Sequence, residues 1–135
     1  MPIQPITNPY NLAVQGLRAE GLRMNVATQN IANANTVRTD SQEPYARKEV
    51  ILESEEDGIN GITIEQIVPD MRRDFKHVYN PSHPHADENG FVTMSNVEIP
   101  MELMNMMAAT RAYQANVASM RRYQDMVETS LELLR

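Results

Sequence analysis

The sequence contains no cysteine, no tryptophan and only two phenylalanines among its 135 residues. Without cysteine there is no disulfide, no thiolate metal ligand and no cysteine nucleophile. Aromatic side chains carry much of a compact core's burial, so any core here must come from Leu, Ile, Val, Ala and the ten methionines. Basic charge is scarce too: 12 Lys and Arg stand against 18 acids, a net charge of −6, which is the wrong sign for neutralising nucleic-acid phosphates. No stretch approaches the ~20 apolar residues of a membrane span. The opening MPIQPITNPYNLAVQGLRAEG lacks both the basic start and the apolar run of a cleavable secretory signal. A Gly-rich phosphate loop, HExxH and G-x-S-x-G are all missing, which argues against an enzyme. On residues alone the chain reads as one soluble, cytosolic domain.

What is present is helical periodicity at both ends. From Ile99, steps of four and three land on Leu103, Met106, Thr110, Tyr113, Val117, Met120, Gln124, Val127, Leu131 and Leu134. Only Thr110 and Gln124 break this apolar seven-residue repeat, the pattern of a coiled coil. Ser95-Asn96-Val97-Glu98 offers a capping box, and Pro100 fits only a first turn. The spacing predicts a helix from residues 96–99 to the last residue, about 54 Å at ~1.5 Å per residue. A weaker repeat runs through Ala13, Leu17, Glu20, Met24, Ala27, Ile31 and Ala34. Asn8-Pro9 or Asn11 would start that helix and Asn35-Thr36 would end it, and Gly16 and Gly21 weaken it from inside. Between the two, Tyr45–Glu53, Ile62–Val68, Phe75–Tyr79 and the FVTM after Asn89-Gly90 read as strands, with Asp57-Gly58 and Asn60-Gly61 as turns.

The expected fold is therefore mainly α with a small β insert. Long N- and C-terminal helices (1–36 and 96–135) pair as an antiparallel coiled coil around a β-hairpin-rich segment (37–95). The insert holds six basic and twelve acidic residues, so it carries the whole net charge, while the helical ends are nearly neutral. A two-helix hairpin buries one seam of each helix, which rarely stabilises helices this long in water. A second face wants another molecule, so the chain has the physics of an assembly subunit. The candidate interface is Leu17, Met24, Asn30, Ile31, Asn33, Leu103, Met106, Tyr113, Val117, Met120, Val127 and Leu131. The stretch MNVATQNIANANT, Met24–Thr36, carries five carboxamides. These are uncharged groups that both donate and accept, suited to polar contacts between packed helices, and they are plausible partners for the hydroxyls of Tyr113 and Tyr123.

Chemical sites are poorly supported. His83-Pro84-His85, with Asp87, Glu88 and His77 nearby, could ligate zinc, although Pro84 hinders the convergence of both rings and a polar surface loop explains the residues equally well. Glu55-Glu56 and Asp87-Glu88 read as solvated turns, and Met101, Met104, Met106 and Met107 as packing surface. The alternatives to an assembly subunit are a free-standing coiled-coil adaptor with a metal- or partner-binding His loop, and a small metal-dependent enzyme.

The two ends carry a resemblance. NLAVQGLRAEGLRMNVATQNIANANT, with Asn30-Ile31-Ala32-Asn33-Ala34-Asn35-Thr36 at its core, resembles the N-terminal motif of bacterial flagellar rod and hook proteins. SNVEIPMELMNMMAATRAYQANV, Ser95–Val117, resembles their C-terminal motif. Pro44–Val50 (PYARKEV) and Val78–Val92 (VYNPSHPHADENGFV) are similar to the insert of proximal-rod members of that family. The resemblance implies a structural subunit of the basal-body rod, without enzyme activity or cofactor, whose terminal helices form an inner coiled-coil layer. It implies export by the flagellar type III apparatus without a cleaved signal, a working place in the periplasm, and as partners further copies of itself, FlgB, FlgF and the base protein FliE.

Overall fold

The computed structural model describes residues 9–54 and 62–134. Helix α1 spans Pro9–Ala32 and helix α2 spans Ile99–Glu132. Gly16 meets Asn116, Met24 meets Thr110 and Asn30 meets Glu102. The partner number falls as the α1 number rises, so the helices run antiparallel. Between them lie β1 (Lys48–Ser54), β2 (Ile62–Pro69), β3 (Lys76–Tyr79) and β4 (Phe91–Met94), forming two separate antiparallel hairpins, β1–β2 and β3–β4. The expected mainly α architecture is thus the observed one. The expected start at Asn8 and the turns Asp57-Gly58 and Asn60-Gly61, with Glu55-Glu56, lie outside the described residues.

Small residues set the helix contact. Ala13, Gly16, Ala19, Val26 and Ala27 are the buried residues along α1 before Asn30. At Gly16 an added Cβ would stand 2.6 Å from the Asn116 amide nitrogen, so glycine permits the close approach there. At Gly21 nothing lies within 4 Å. On α2 the seam toward α1 differs from the predicted repeat in one register. Met106 and Met120 are half-buried as the spacing implies and Thr110 reaches the Met24 sulfur, but Glu102 is buried where Leu103 was expected, Ala109 is buried beside Thr110, and Leu103 is exposed. A one-residue displacement rotates a position by about 100° around a helix. The sequence repeat therefore includes an apolar strip that α1 does not cover.

Helix α2 begins within the predicted window, with Pro100 in its first turn, but without the predicted capping box: Glu98 occupies the cap position in extended conformation and its side chain makes no cap bond. Asn96 is instead spent on the insert. Helix α1 ends in a turn in which the Asn33 amide donates to the Gln29 carbonyl and the Thr36 hydroxyl to the Asn33 carbonyl, both within hydrogen-bond distance at 2.8 and 2.9 Å.

The β1–β2 hairpin packs on α1, whereas the backbone of β3–β4 stands clear of both helices. An irregularity at Ile51/Leu52, where the register passes from Gln66 to Ile64, bends the first hairpin. The second is pinned by Tyr79 and Phe91 edge to face, ring centroids 5.3 Å apart. In its loop the Asp87 carboxylate accepts from the backbone of Asn89 and Phe91, and Gly90 takes the left-handed φ of 81° that glycine tolerates.

Candidate assembly site and the polar joint beneath it

A buried polar knot ties the insert to both helices. Arg47, just before β1, sends Nε to Glu102 of α2 at 2.7 Å and Nη1 to Asp70, just after β2, at 3.1 Å. The other Glu102 oxygen accepts from the Asn30 amide of α1 at 2.9 Å. That amide also donates to the Lys48 carbonyl, while its oxygen accepts from the Lys48 N–H and the Tyr45 hydroxyl. Asn96 accepts from the Arg47 N–H and donates to the carbonyls of Asp70 and Arg73. Asn30 is fully buried, Glu102 and Asn96 nearly so, and Arg47 and Asp70 keep less than a tenth of their exposure. Each partner satisfies the next, which is what allows ionised groups to stay inside.

The electrostatics follow from that arrangement. Burial pushes the Asp70 carboxyl up, but the Arg72 N–H and guanidinium and the Arg47 charge outweigh it, holding it below the usual aspartate value of 3.8. Burial works against the Arg47 cation, and the Glu102 hydrogen bond with the nearby carboxylates more than offsets it. Burial, then the Glu102 charge, raises the Tyr45 hydroxyl, so it stays protonated and donates to Asn30. Arg72 extends the knot to Glu49, and Arg73 reaches Asp70 and Glu98.

The predicted site residues divide into three groups. Asn30 sits inside the knot, so its amide serves this chain and not an outer face. The hydroxyl it satisfies belongs to Tyr45, and neither Tyr113 nor Tyr123. Leu17, Met24, Ile31, Asn33, Met106, Val117 and Met120 are half-buried along the helix pair. Leu103, Tyr113, Val127 and Leu131 are exposed. They are joined by Met104 and Met107, 70% and 57% exposed, which the sequence reading placed in the packing surface without assigning a face. From Gln124 to Leu134 every side chain is exposed.

Sequence reasoning missed Arg47, Asp70, Asn96 and Glu102. Their one visible signal was polarity at helix and strand ends, and that is common to most loops. His83 and His85 place their ring centroids 5.7 Å apart, but His83 Nδ1 accepts the His85 N–H. Among the described residues no three His, Asp or Glu side chains converge on a point where a metal could sit. Among them, too, no helix is long and apolar enough to cross a membrane.

Known proteins match this arrangement along almost its whole length. Residues 88–133 match the family described as "Flagellar basal body rod FlgEFG protein C-terminal". The chain is 36% identical over 137 aligned positions to the flagellar basal-body rod protein FlgC of Agrobacterium fabrum, with 98% of each chain covered. It is 33% identical over 131 positions to FlgC of Salmonella typhimurium, covering 95% of this chain and 97% of that one. Against FlgC of Bacillus subtilis it is 31% identical over 142 positions, with 91% and 94% covered. Identity of this level across both helices and the insert leaves a single conclusion: the chain belongs to the FlgC family of flagellar basal-body rod proteins, which are structural, non-enzymatic components of the rod.

Proposed function

We propose that this chain builds the proximal rod by packing the outer faces of its terminal helices against neighbouring subunits, with residues 1–36 and 96–135 as an inner helical layer and residues 37–95 as the outer insert. In this reading the helices form part of the wall of the export channel and the assembled tube transmits torque. The subunit reaches the periplasmic side through the flagellar type III apparatus, and its neighbours are further copies, FlgB, FlgF and FliE, as the family resemblance implies.

The observation that carries the reading is the outer strip of α2. Leu103, Met104 and Met107 form an apolar surface on the side away from the buried Glu102 and Ala109. An apolar strip of this kind on an otherwise solvated helix marks a protein contact. Methionine is unbranched and adaptable, which suits a surface that must fit non-identical neighbours. The near-neutral helices and acidic insert fit the same division, because a crowded tube penalises unpaired buried charge.

Met104→Asp combined with Met107→Asp tests it. Neither side chain is part of the seam with α1, so the purified variant should keep the parent's far-ultraviolet circular dichroism and melting temperature. In a strain lacking the native gene it should give non-motile cells whose basal bodies lack a rod. Normal swimming would refute the helix-packing reading.

A further inference from the structure

The chain holds its sulfur only as thioether, ten methionines and no cysteine, so any oxidation at sulfur falls on methionine. The structure sorts these side chains into two kinds. Met24, Met101 and Met106 are half-buried, and each sulfur has a donor beside it. The Thr110 hydroxyl reaches Met24 Sδ at 3.5 Å, an Arg73 guanidinium nitrogen reaches Met101 Sδ at 3.0 Å, and the Thr28 hydroxyl reaches Met106 Sδ at 4.0 Å. The lone pair that an oxidant needs is engaged there, and packing restricts access to it. Met71, Met104, Met107 and Met126 are the opposite, each more than half exposed.

Two of the four open sulfurs stand together on the outer strip of α2. Met104 and Met107 are three residues apart, about 60° around the helix, with the exposed Leu103 beside them. An oxygen on either sulfur changes what that strip is. The thioether is apolar and adaptable, whereas the sulfoxide is polar and chiral and carries a strong acceptor at the same length. Inside an apolar contact that acceptor finds no donor, and burying it unpaired counts against the contact. The seam methionines are shielded, so the oxidised chain keeps its helix pair and polar joint. The modification is therefore confined to the surface.

We propose that Met104 and Met107 form a redox modification site: a peroxide converts their thioethers to sulfoxides in the unassembled subunit, and the rod refuses that subunit until a dithiol reductant restores it. The proposal rests on the assembly reading above and adds a chemical control over it. In the forward step the sulfur lone pair attacks one peroxide oxygen, the S–O bond forms as the O–O bond breaks, and the second oxygen leaves as water when the oxidant is hydrogen peroxide. Sulfur is oxidised by two electrons and the peroxide is reduced by two. In the return step two thiols close to a disulfide and the sulfoxide oxygen leaves as water. Those thiols come from another protein, since this chain has none. Once a neighbour covers the strip the sulfurs are out of reach, so the control acts before assembly and leaves the finished rod alone.

Hydrogen peroxide and fragment-resolved peptide mass spectrometry test this. In the purified chain Met104 and Met107 should reach half oxidation about tenfold sooner than Met24, Met101 and Met106, with the far-ultraviolet circular dichroism unchanged. In cells growing new rods under sublethal peroxide, sulfoxide at Met104 and Met107 should be present in the unassembled pool and depleted at least about tenfold in isolated basal bodies. Met71 is equally open but lies on the insert, so its sulfoxide should occur in rods and pool alike. Two variants complete the test. Met104→Gln with Met107→Gln puts an uncharged acceptor of similar length in place of the sulfoxide, and should lose most rod-bearing basal bodies without any oxidant. Met104→Leu with Met107→Leu should build rods at the parent's number and go on building them at a peroxide dose that stops the parent. Equal oxidation of open and shielded methionines overturns the proposal, as does sulfoxide at Met104 and Met107 as abundant in rods as in the pool. Depletion of the Met71 sulfoxide to the same degree, normal swimming of the Gln variant, or a Leu variant as peroxide-sensitive as the parent also overturns it. If any of these results appears while the Met104→Asp/Met107→Asp chain is non-motile, the assembly reading stands and the redox control falls.

Discussion

Asp70 shows how a single side chain couples the insert to the helices. Its carboxylate faces Arg47, Arg72 and Arg73 and is almost fully buried. Because its folded pKa lies below the ordinary value of 3.8, the unfolded chain binds the proton more readily than the folded one. The stabilisation it brings is complete above about pH 5 and is lost as pH falls through and below 4. Thermal melts between pH 7 and pH 3 should therefore show a falling melting temperature at the acid end. Asp70→Asn should melt lower at pH 7 and lose part of the acid dependence; a variant with the wild-type pH profile would remove Asp70 from the account. Asn30 illustrates what the sequence could and could not reveal at this scale. Its place in a carboxamide-rich helix marked it as a polar contact, and it is one. That the contacts are Lys48, Tyr45 and Glu102 of the same chain was not legible there, since they lie 15 to 72 positions away.

At the scale of the element, periodicity made most of the architecture legible. Helix α2 starts at Ile99 within its predicted window, and all four strands fall inside or within a residue or two of the predicted runs. The register of the helix seam was less legible, for a physical reason. An apolar repeat records every surface that must avoid water, whether the partner is α1 or another molecule, so Leu103 and Met106 look alike in sequence while only Met106 turns inward. The glycines of α1 divide in the same way. At Gly16 an alanine Cβ would stand 2.6 Å from the Asn116 amide nitrogen, so the Asn116 side chain would have to move to admit it. Gly21 has open space around it and costs helix stability without return. Gly21→Ala should stabilise the chain by up to ~1 kcal/mol, the difference in helix propensity, whereas Gly16→Ala should bring no gain. Urea unfolding of both variants measures this, and equal effects would contradict the packing described.

For the whole molecule, the decisive feature is the mismatch between apolar surface made and apolar surface covered. The helix pair buries alanines, Val26 and Gly16 in its seam, yet leaves Leu103, Met104, Met107, Met126 and Leu131 in solvent. The polar joint adds a constraint of a different kind. With Arg47, Asp70, Asn96 and Glu102 mutually satisfied, the first hairpin is held at one angle to the helices. A subunit with a fixed angle can repeat identically in a tube, and the joint's geometry was invisible in sequence because it is assembled from four separate segments. The account's central claim is that the outer face of α2 is covered by neighbouring subunits in the rod. Its most direct test uses Met104→Cys, a single thiol in a chain that otherwise has none. The claim predicts fast maleimide labelling of the purified chain and strong protection in isolated basal bodies built from the same variant; equally fast labelling in both would contradict it.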